Sequence, residues 1–376
     1  VEITGNNIMF SISAGGQSLP VNNMDEQLCF LPLCHILERL ISVFQPIGAG
    51  SVINFAESPE TVFDNLQEIS PTIFTAVPRV WERVYSRVSI MIGDATPFGR
   101  WAFNSALSAG MKKVRAEDQN KSIPLSYLFW NLVLLRNMRR MLGMDNLRRG
   151  TTGAAPISPE LLTWFRAIGV RIFEGYGMSE SAGIISLNYQ GNEKNGTVGS
   201  VIPGAKLRIG ENDEIQYKGG NCFKGYWRKP EKTNETFTSD GWMRTGDIGL
   251  IDSEGFLTIT GRMKDIIITA GGKNITPSEI ENRLKFSPYI SDTIIIGDKR
   301  KFVSCLVMID QENVEKFAQD NRISFSDFAS LCSAKEIVEL IGNIVEDVNR
   351  NFARVEQIKK FRLIDILLTA EDDELT

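Results

Sequence analysis

The sequence predicts an α/β protein: a layered α/β large domain that ends in a small β-barrel-like subdomain, followed by a small α+β domain. Three observations predict it. Short apolar runs alternate with helical segments over the first half, the helical period disappears between 196 and 260, and mixed strand and helix patterns return after 261.

Residues 27–31 read as a buried strand, and Pro32 breaks it before a helix-like segment from 35 to about 45. Residues 51–55 and 73–76 read as further strands. Ser58 and Pro59 open a helix to Ile69, Pro71 ends it, and Pro78 starts another through Ile92. Strands alternating with helices imply a parallel sheet covered on both faces. From 98 to about 142 the text is helical, with a polar break at 115–122. A strand at 147–152 then runs into Gly153, Ala154, Ala155 and Pro156, Ser158 caps the next helix, and 170–173 is a strand again.

Between 196 and 260 the apolar runs at 205–209, 214–217, 248–251 and 257–260 are punctuated by glycine, the pattern of a small antiparallel barrel or sandwich. Beyond it, 266–269, 293–296 and 305–309 read as strands and 278–286 and 333–352 as helices. The boundary is expected at about 261–265, giving a first domain of 1–262, whose β-rich part is 196–262, and a second of 263–376.

Composition excludes several function classes. A chain of 376 residues with 43% hydrophobic content can bury a large core, and a net charge of −5 gives no bulk attraction for nucleic acid. Five cysteines, odd in number and without CxxC pairing, argue against a disulfide framework or a structural zinc site and suit a reducing, cytoplasmic setting. His35 is the single histidine, so a Ser-His-Asp triad would have to run through it. No charged-then-apolar leader opens the text, and no run of about 20 apolar residues could span a bilayer. The run 125–135, followed by Arg136, Arg139 and Arg140, reads as a buried helix, with a basic membrane-surface helix as the alternative.

The chemistry concentrates in Glu174, Gly175, Tyr176, Gly177, Met178, Ser179 and Glu180. Gly175 and Gly177 are expected to let the backbone turn sharply and approach a ligand, Tyr176 to stack on a purine, Ser179 to donate to phosphate and Glu180 to hold Mg2+. A Gly-rich loop with solvated polar groups is the alternative. In 241–247 (GWMRTGD), Asp247 is a carboxylate suited to a vicinal diol such as ribose, or else a turn cap. In 261–265 (GRMKD), Arg262 offers a planar fork for ribose and phosphate, while Lys264 and Asp265 also read as a charged linker. Gly271 and Gly272 could line a narrow channel for a thin ligand or form an ordinary turn, and Lys273 either adds a positive charge to a phosphate site or is an ordinary exposed lysine. His35 stands at a strand end, where it either faces the cleft or caps a helix.

Together, GAAP at 153–156, EGYGMSE at 174–180, GWMRTGD at 241–247 and GRMKD at 261–265 resemble the adenylate-forming superfamily of acyl- and aryl-CoA synthetases. Within it, FLPLCHILER at 30–39, PTIFTAVPRVWERV at 71–84 and GGKNITPSEIENRL at 271–284 resemble bacterial long-chain fatty acid–CoA ligases. The resemblance implies the adenylate-forming fold and a reaction in two steps. The carboxylate of a long-chain fatty acid attacks the α phosphorus of ATP to give acyl-AMP and pyrophosphate, and the coenzyme A thiol then displaces AMP.

By position, the resemblance makes Tyr176 the adenine platform with the Gly153–Ala155 backbone opposite it, and packs Ile259 beside the base. It puts Ser179 on phosphate, Glu180 on Mg2+ and Asp247 with Arg262 on the ribose hydroxyls, and it includes Glu174, Gly175 and Gly177 in the nucleotide loop. Lys264 becomes a hinge, Gly271 part of the pantetheine tunnel, and Val77, Met178 and Gly183 the acyl pocket. Two departures stand out. Residues 1–10 resemble the text that follows the family's phosphate loop, with Gly5 where histidine is usual, and the text ends at Thr376 ahead of the segment that carries the catalytic lysine. The expectation is a chain that presents an adenylate pocket but adenylates poorly by itself. The competing expectations are a ligase for another acid or a carrier-protein thiol, and a non-catalytic sensor of nucleotide or acyl-adenylate. Contact with a membrane surface through 98–142 is a further expectation, because a fatty acid partitions into lipid.

Overall fold

In the computed structural model, residues 1–58 and 61–366 are described. The apolar runs of the first half become five parallel strands: β1 (Glu26–Cys29), β2 (Val52–Phe55), β3 (Ile73–Ala76), β4 (Arg149–Thr152) and β5 (Ile172–Tyr176). Two short antiparallel strands, β6 (Ser186–Leu187) and β7 (Ser200–Val201), extend the sheet into the order β2-β1-β3-β4-β5-β6-β7. Strand β3 is buried along its whole length, as a central strand covered on both faces must be. Phe74 on it meets Trp81 edge-on, and Trp81 meets Phe165 the same way, so one aromatic chain ties strand to helix.

The helix Pro97–Asp118 packs on the helix Pro159–Ile168. A Cβ on Gly110 would lie 2.2 Å from the Ala167 carbonyl oxygen, so the two backbones touch at that point. Nearby, Glu117 accepts from Lys113 at 2.9 Å, Arg171 at 3.1 Å and Arg166 at 3.3 Å. The N-terminal helix Gly5–Ser18 was not legible in the text; Thr4 and Asn7 close a reciprocal capping box at its start.

The run 125–135 departs from the expected buried helix. It forms a helix Leu125–Trp130 and a π-helical turn Asn131–Leu135 that continue into the helix Arg136–Met141. Leu125, Leu128, Phe129, Leu132 and Val133 are exposed, while Tyr127, Leu135 and Met138 face inward. Apolar residues outnumber polar ones on every side of this run, so its spacing does not say which side the fold covers.

The glycine-punctuated stretch becomes a four-stranded antiparallel sheet of β8 (Lys206–Ile209), β9 (Glu214–Lys218), β10 (Met243–Ile251) and β11 (Leu257–Arg262), in the order β11-β10-β9-β8. Strand β10 starts five residues ahead of the expected 248–251, because Met243 to Asp247 of GWMRTGD is strand and not turn. By internal contacts the chain divides into two units, Val1–Val84 with Met91–Ile259, and Tyr85–Ile90 with the chain from Thr260 on. In the second unit β12 (Ile267–Ile268) pairs with β13 (Asn274–Ile275). There β14 (Ile290–Ile296), β15 (Val303–Ile309) and β16 (Ile358–Leu363) form a three-stranded sheet. The helices Pro277–Lys285 and Lys335–Asn349 bury Ile280, Leu284, Ile337 and Ile341 in its core. Strand β16 and the helix Gln311–Asp320 escaped the reading, since paired lysines and an arginine blur the alternation in β16.

Candidate functional site

Open parallel sheets bind ligands beyond the carboxyl ends of their strands. Here β4 ends at Thr152 and delivers Gly153, Ala154 and Ala155, while β5 ends at Tyr176 and delivers Gly177 to Glu180. The register sets Thr152 against Glu174, so the two loops leave the sheet side by side. Ala154 and Ala155 are exposed, and Ala154 is left-handed at φ +68°. Thr152 Oγ1 beside them is buried without a hydrogen-bond partner.

Neither Gly175 nor Gly177 adopts a left-handed backbone, so the expected sharp turn is not what requires glycine. Close packing is. The chain doubles back after Gly177, with Gly183 N donating to Met178 O and Ile185 N to Tyr176 O. A Cβ on Gly177 would stand 2.3 Å from Gly183 O, and one on Gly175 would stand 2.8 Å from Leu187 Cδ1. Two side chains hold the returning loop. The fully buried Asn221 donates to Ser181 O and Ile184 O at 2.7 Å and accepts from Tyr217, and Ser11 donates to Ala182 O. Sequence reasoning missed Asn221 and Tyr217; a lone asparagine in the Gly-rich text at 219–225 was the available signal.

Tyr176 and Asp247 meet directly. The phenol donates to Asp247 Oδ2 at 2.5 Å, joining β5 to β10 across 71 residues of chain. Asp247 sits inside β10, at an irregularity in its pairing with β9 between Arg244 and Ile248. Gly246 there has φ +74°, which suits glycine, and Thr245 Oγ1 accepts from Asp247 N while donating to Ile215 O. A bulge re-aims the side chain that follows it, so the expected turn cap is a strand carboxylate turned toward Tyr176. Ile259, on the neighbouring β11, packs in the same apolar cluster as Tyr176 around Val198, Ile215 and Leu257. Arg262 ends that strand and is exposed.

Glu180 is half-buried, and its Oε1 accepts from Tyr226 at 2.7 Å. Burial, reinforced by Glu180, pushes the Tyr226 phenol up to about 12, so it remains a donor. Among the described residues no group of three or more His, Cys, Asp and Glu side chains could cage a metal ion. One carboxylate beside an exposed Ser179 still fits Mg2+, which keeps most of its shell as water and phosphate oxygen. Glu174 is buried and accepts from the Ile157 backbone. Burial pushes its carboxyl up to about 8, so at neutral pH it is chiefly a neutral acid. That is a structural group behind the loop, not a charge facing a nucleotide.

The remaining expected residues lie elsewhere. His35 is exposed and caps the helix Ile36–Arg39, its Nδ1 accepting from Leu37 N at 3.3 Å, which is the capping alternative. Gly183 lies 3.1 Å, by its absent Cβ, from Leu40 Cδ2, and Met178 packs on the cluster around Ile185 and Tyr217. Val77 follows β3 at the same carboxyl edge. Lys264, Gly271 and Lys273 are exposed in the turns on either side of β12.

Residues 1–227 match the family model described as AMP-binding enzyme, and residues 264–375 match that of the AMP-binding enzyme C-terminal domain. The whole chain is 34% identical to the long-chain-fatty-acid–CoA ligase FadD15 of Mycobacterium bovis, of whose length it covers 63%. Over 82% of the chain it is 32% identical to the long-chain-fatty-acid–CoA ligase ACSBG2 of Gallus gallus, covering 42% of that protein. The fold matches the o-succinylbenzoate CoA synthetase of Bacillus subtilis in complex with its acyl-adenylate intermediate. The TM-score is 0.67 at 21% identity, over 100% of this chain and 64% of that one. The chain thus spans under two-thirds of the length of the mycobacterial ligase.

Proposed function

Because the chain belongs to the family of AMP-binding enzymes, we propose that it carries the acyl-adenylate site of a long-chain fatty acid–CoA ligase, working through ATP and coenzyme A. The Tyr176–Asp247 hydrogen bond at the carboxyl edge of the sheet carries the reading. It gives a half-buried aromatic face and an acceptor for a diol within one side-chain length, which is what an adenosine needs. In this reading the Tyr176 ring stacks on adenine, with Ile259 beside it and the backbone of Gly153, Ala154 and Ala155 on the other side. Asp247 and Arg262 take the ribose hydroxyls. Ser179 contacts phosphate, and Glu180 would hold a Mg2+ ion, which neutralises phosphate charge when bound. The loop bonds from Asn221 and Tyr226 keep Ser179 and Glu180 in place, so catalysis is mainly positioning.

The long-chain assignment draws on the names of the relatives, and the two-step thioester reaction is proposed for the whole protein. Lys264 would be the hinge and Gly271 with Lys273 the coenzyme A side. Calorimetric titration of the 376-residue chain with a non-hydrolysable palmitoyl-AMP analogue tests the site, with acetyl and benzoyl analogues alongside. Tight binding that needs the long chain and weakens at least about tenfold in Tyr176→Ala is expected, the loss of one stacked base contact. Equal binding by the variant would sink the assignment of Tyr176, and preference for the benzoyl analogue would sink the fatty acid.

A further inference from the structure

Residues 97–141 carry a cluster of exposed large apolar side chains that the candidate site does not use. On the helix Leu125–Trp130 and the π-helical turn after it, Leu125, Leu128, Phe129, Leu132 and Val133 recur at spacings of three and four, which makes one stripe. Each is between 49% and 83% exposed. The helix Pro97–Asp118 adds Phe98 and Trp101, and their rings join the stripe: Phe98 lies 5.6 Å from Trp101, and Trp101 lies 6.0 Å from Trp130, which in turn touches Phe129. Soluble surfaces scatter single apolar residues; a contiguous aromatic and aliphatic face marks an interaction site.

Charge identifies the partner. The chain is acidic overall, yet the border of this face is cationic, with Arg100 and Lys112 lining the groove between the two helices and Arg136 and Arg140 following the stripe. Arg140 lies 3.9 Å from Asp145 and stays 79% exposed. The only acids between 97 and 141 are Glu117 and Asp118, and both are held by Arg166. Tryptophan with leucine on one face and arginine at its edge is the composition of a helix that lies in a membrane interface, where the rings sit at headgroup level and arginine reaches phosphate. No described helix is long and apolar enough to cross a membrane, so the face would rest on the bilayer.

We propose that this face docks the protein on an anionic lipid surface, with the stripe in the acyl boundary and Arg100, Lys112, Arg136 and Arg140 on lipid phosphates. The surface stands independently of the ligase reading, which it would supply with a membrane-dissolved substrate. The test is co-sedimentation of the full chain with phosphatidylcholine vesicles, with and without one-third phosphatidylglycerol, at low and high salt.

Binding that favours the anionic vesicles and weakens with salt is expected, falling about tenfold in Leu128→Asn with Leu132→Asn. Arg136→Glu with Arg140→Glu should erase the preference for anionic lipid. All four positions are exposed, so both variants should keep the thermal unfolding curve of the parent. No vesicle binding, or binding that neither pair of substitutions changes, would overturn the proposal. So would self-association of the parent that the leucine pair abolishes without any vesicle binding, because the face would then belong to a second copy of the chain.

Discussion

At the scale of single residues, protonation and hydrogen bonding decide what the candidate site can do. Glu174 reads in the text as one more polar group of a nucleotide loop, but it is buried, and its raised carboxyl makes it a neutral acid near pH 7. The folded chain therefore holds a proton that the unfolded chain releases from about 4.5, and stability must fall as pH rises from there toward about 8. The slope is on the order of 1.4 kcal/mol per pH unit for one proton, and it levels off once both states are ionised. Urea unfolding of Glu174→Gln, which cannot ionise, should show a flatter dependence than the parent between pH 5 and 8. Parallel curves would mean that Glu174 is ionised in the folded protein. For Asp247 the text suggests a carboxylate suited to a diol, but its hydrogen-bond partner Tyr176, 71 positions away, is not readable there.

At the scale of elements, two glycines set how closely segments approach, and each makes a separate prediction. Gly110 lets the helix Pro97–Asp118 touch the backbone of the helix Pro159–Ile168. Gly110→Ala must push them apart. A loss of about 1–3 kcal/mol is expected by urea denaturation, as for an overpacked core position. Gly177 lets the loop after β5 return onto itself. Gly177→Ala should displace Ser179 and Glu180 and reduce palmitoyl-AMP analogue affinity by at least about tenfold, a shift of about 1.4 kcal/mol. Unchanged affinity with normal folding would show that the return of the loop does not position the site. Helical text announced the first segment and the glycine pair the second, yet neither says which backbone oxygen each glycine accommodates, Ala167 O for Gly110 and Gly183 O for Gly177.

At the scale of the molecule, we propose that the domains divide near 262–263, where Arg262, Met263, Lys264 and Asp265 are exposed in succession. Limited trypsin digestion should cut first after Arg262, Lys264 or Lys273, read by mass spectrometry of the early fragments. First cuts at Arg115 or Lys121 instead would place the weakest connection in the helical region. The alternation of strands and helices, the antiparallel stretch after 196 and the mixed domain at the end were legible because hydrophobic period and glycine punctuation are local properties of the chain. So were the residue types of the loop after β5. Tertiary structure alone decided that Tyr176 meets Asp247, that Asn221 and Tyr226 fasten the loop, that Glu174 is neutral, and that the run 125–135 faces outward. Each of these depends on which groups the fold removes from water and brings within 3 Å, and burial and proximity between distant segments are set by packing, not by spacing along the chain.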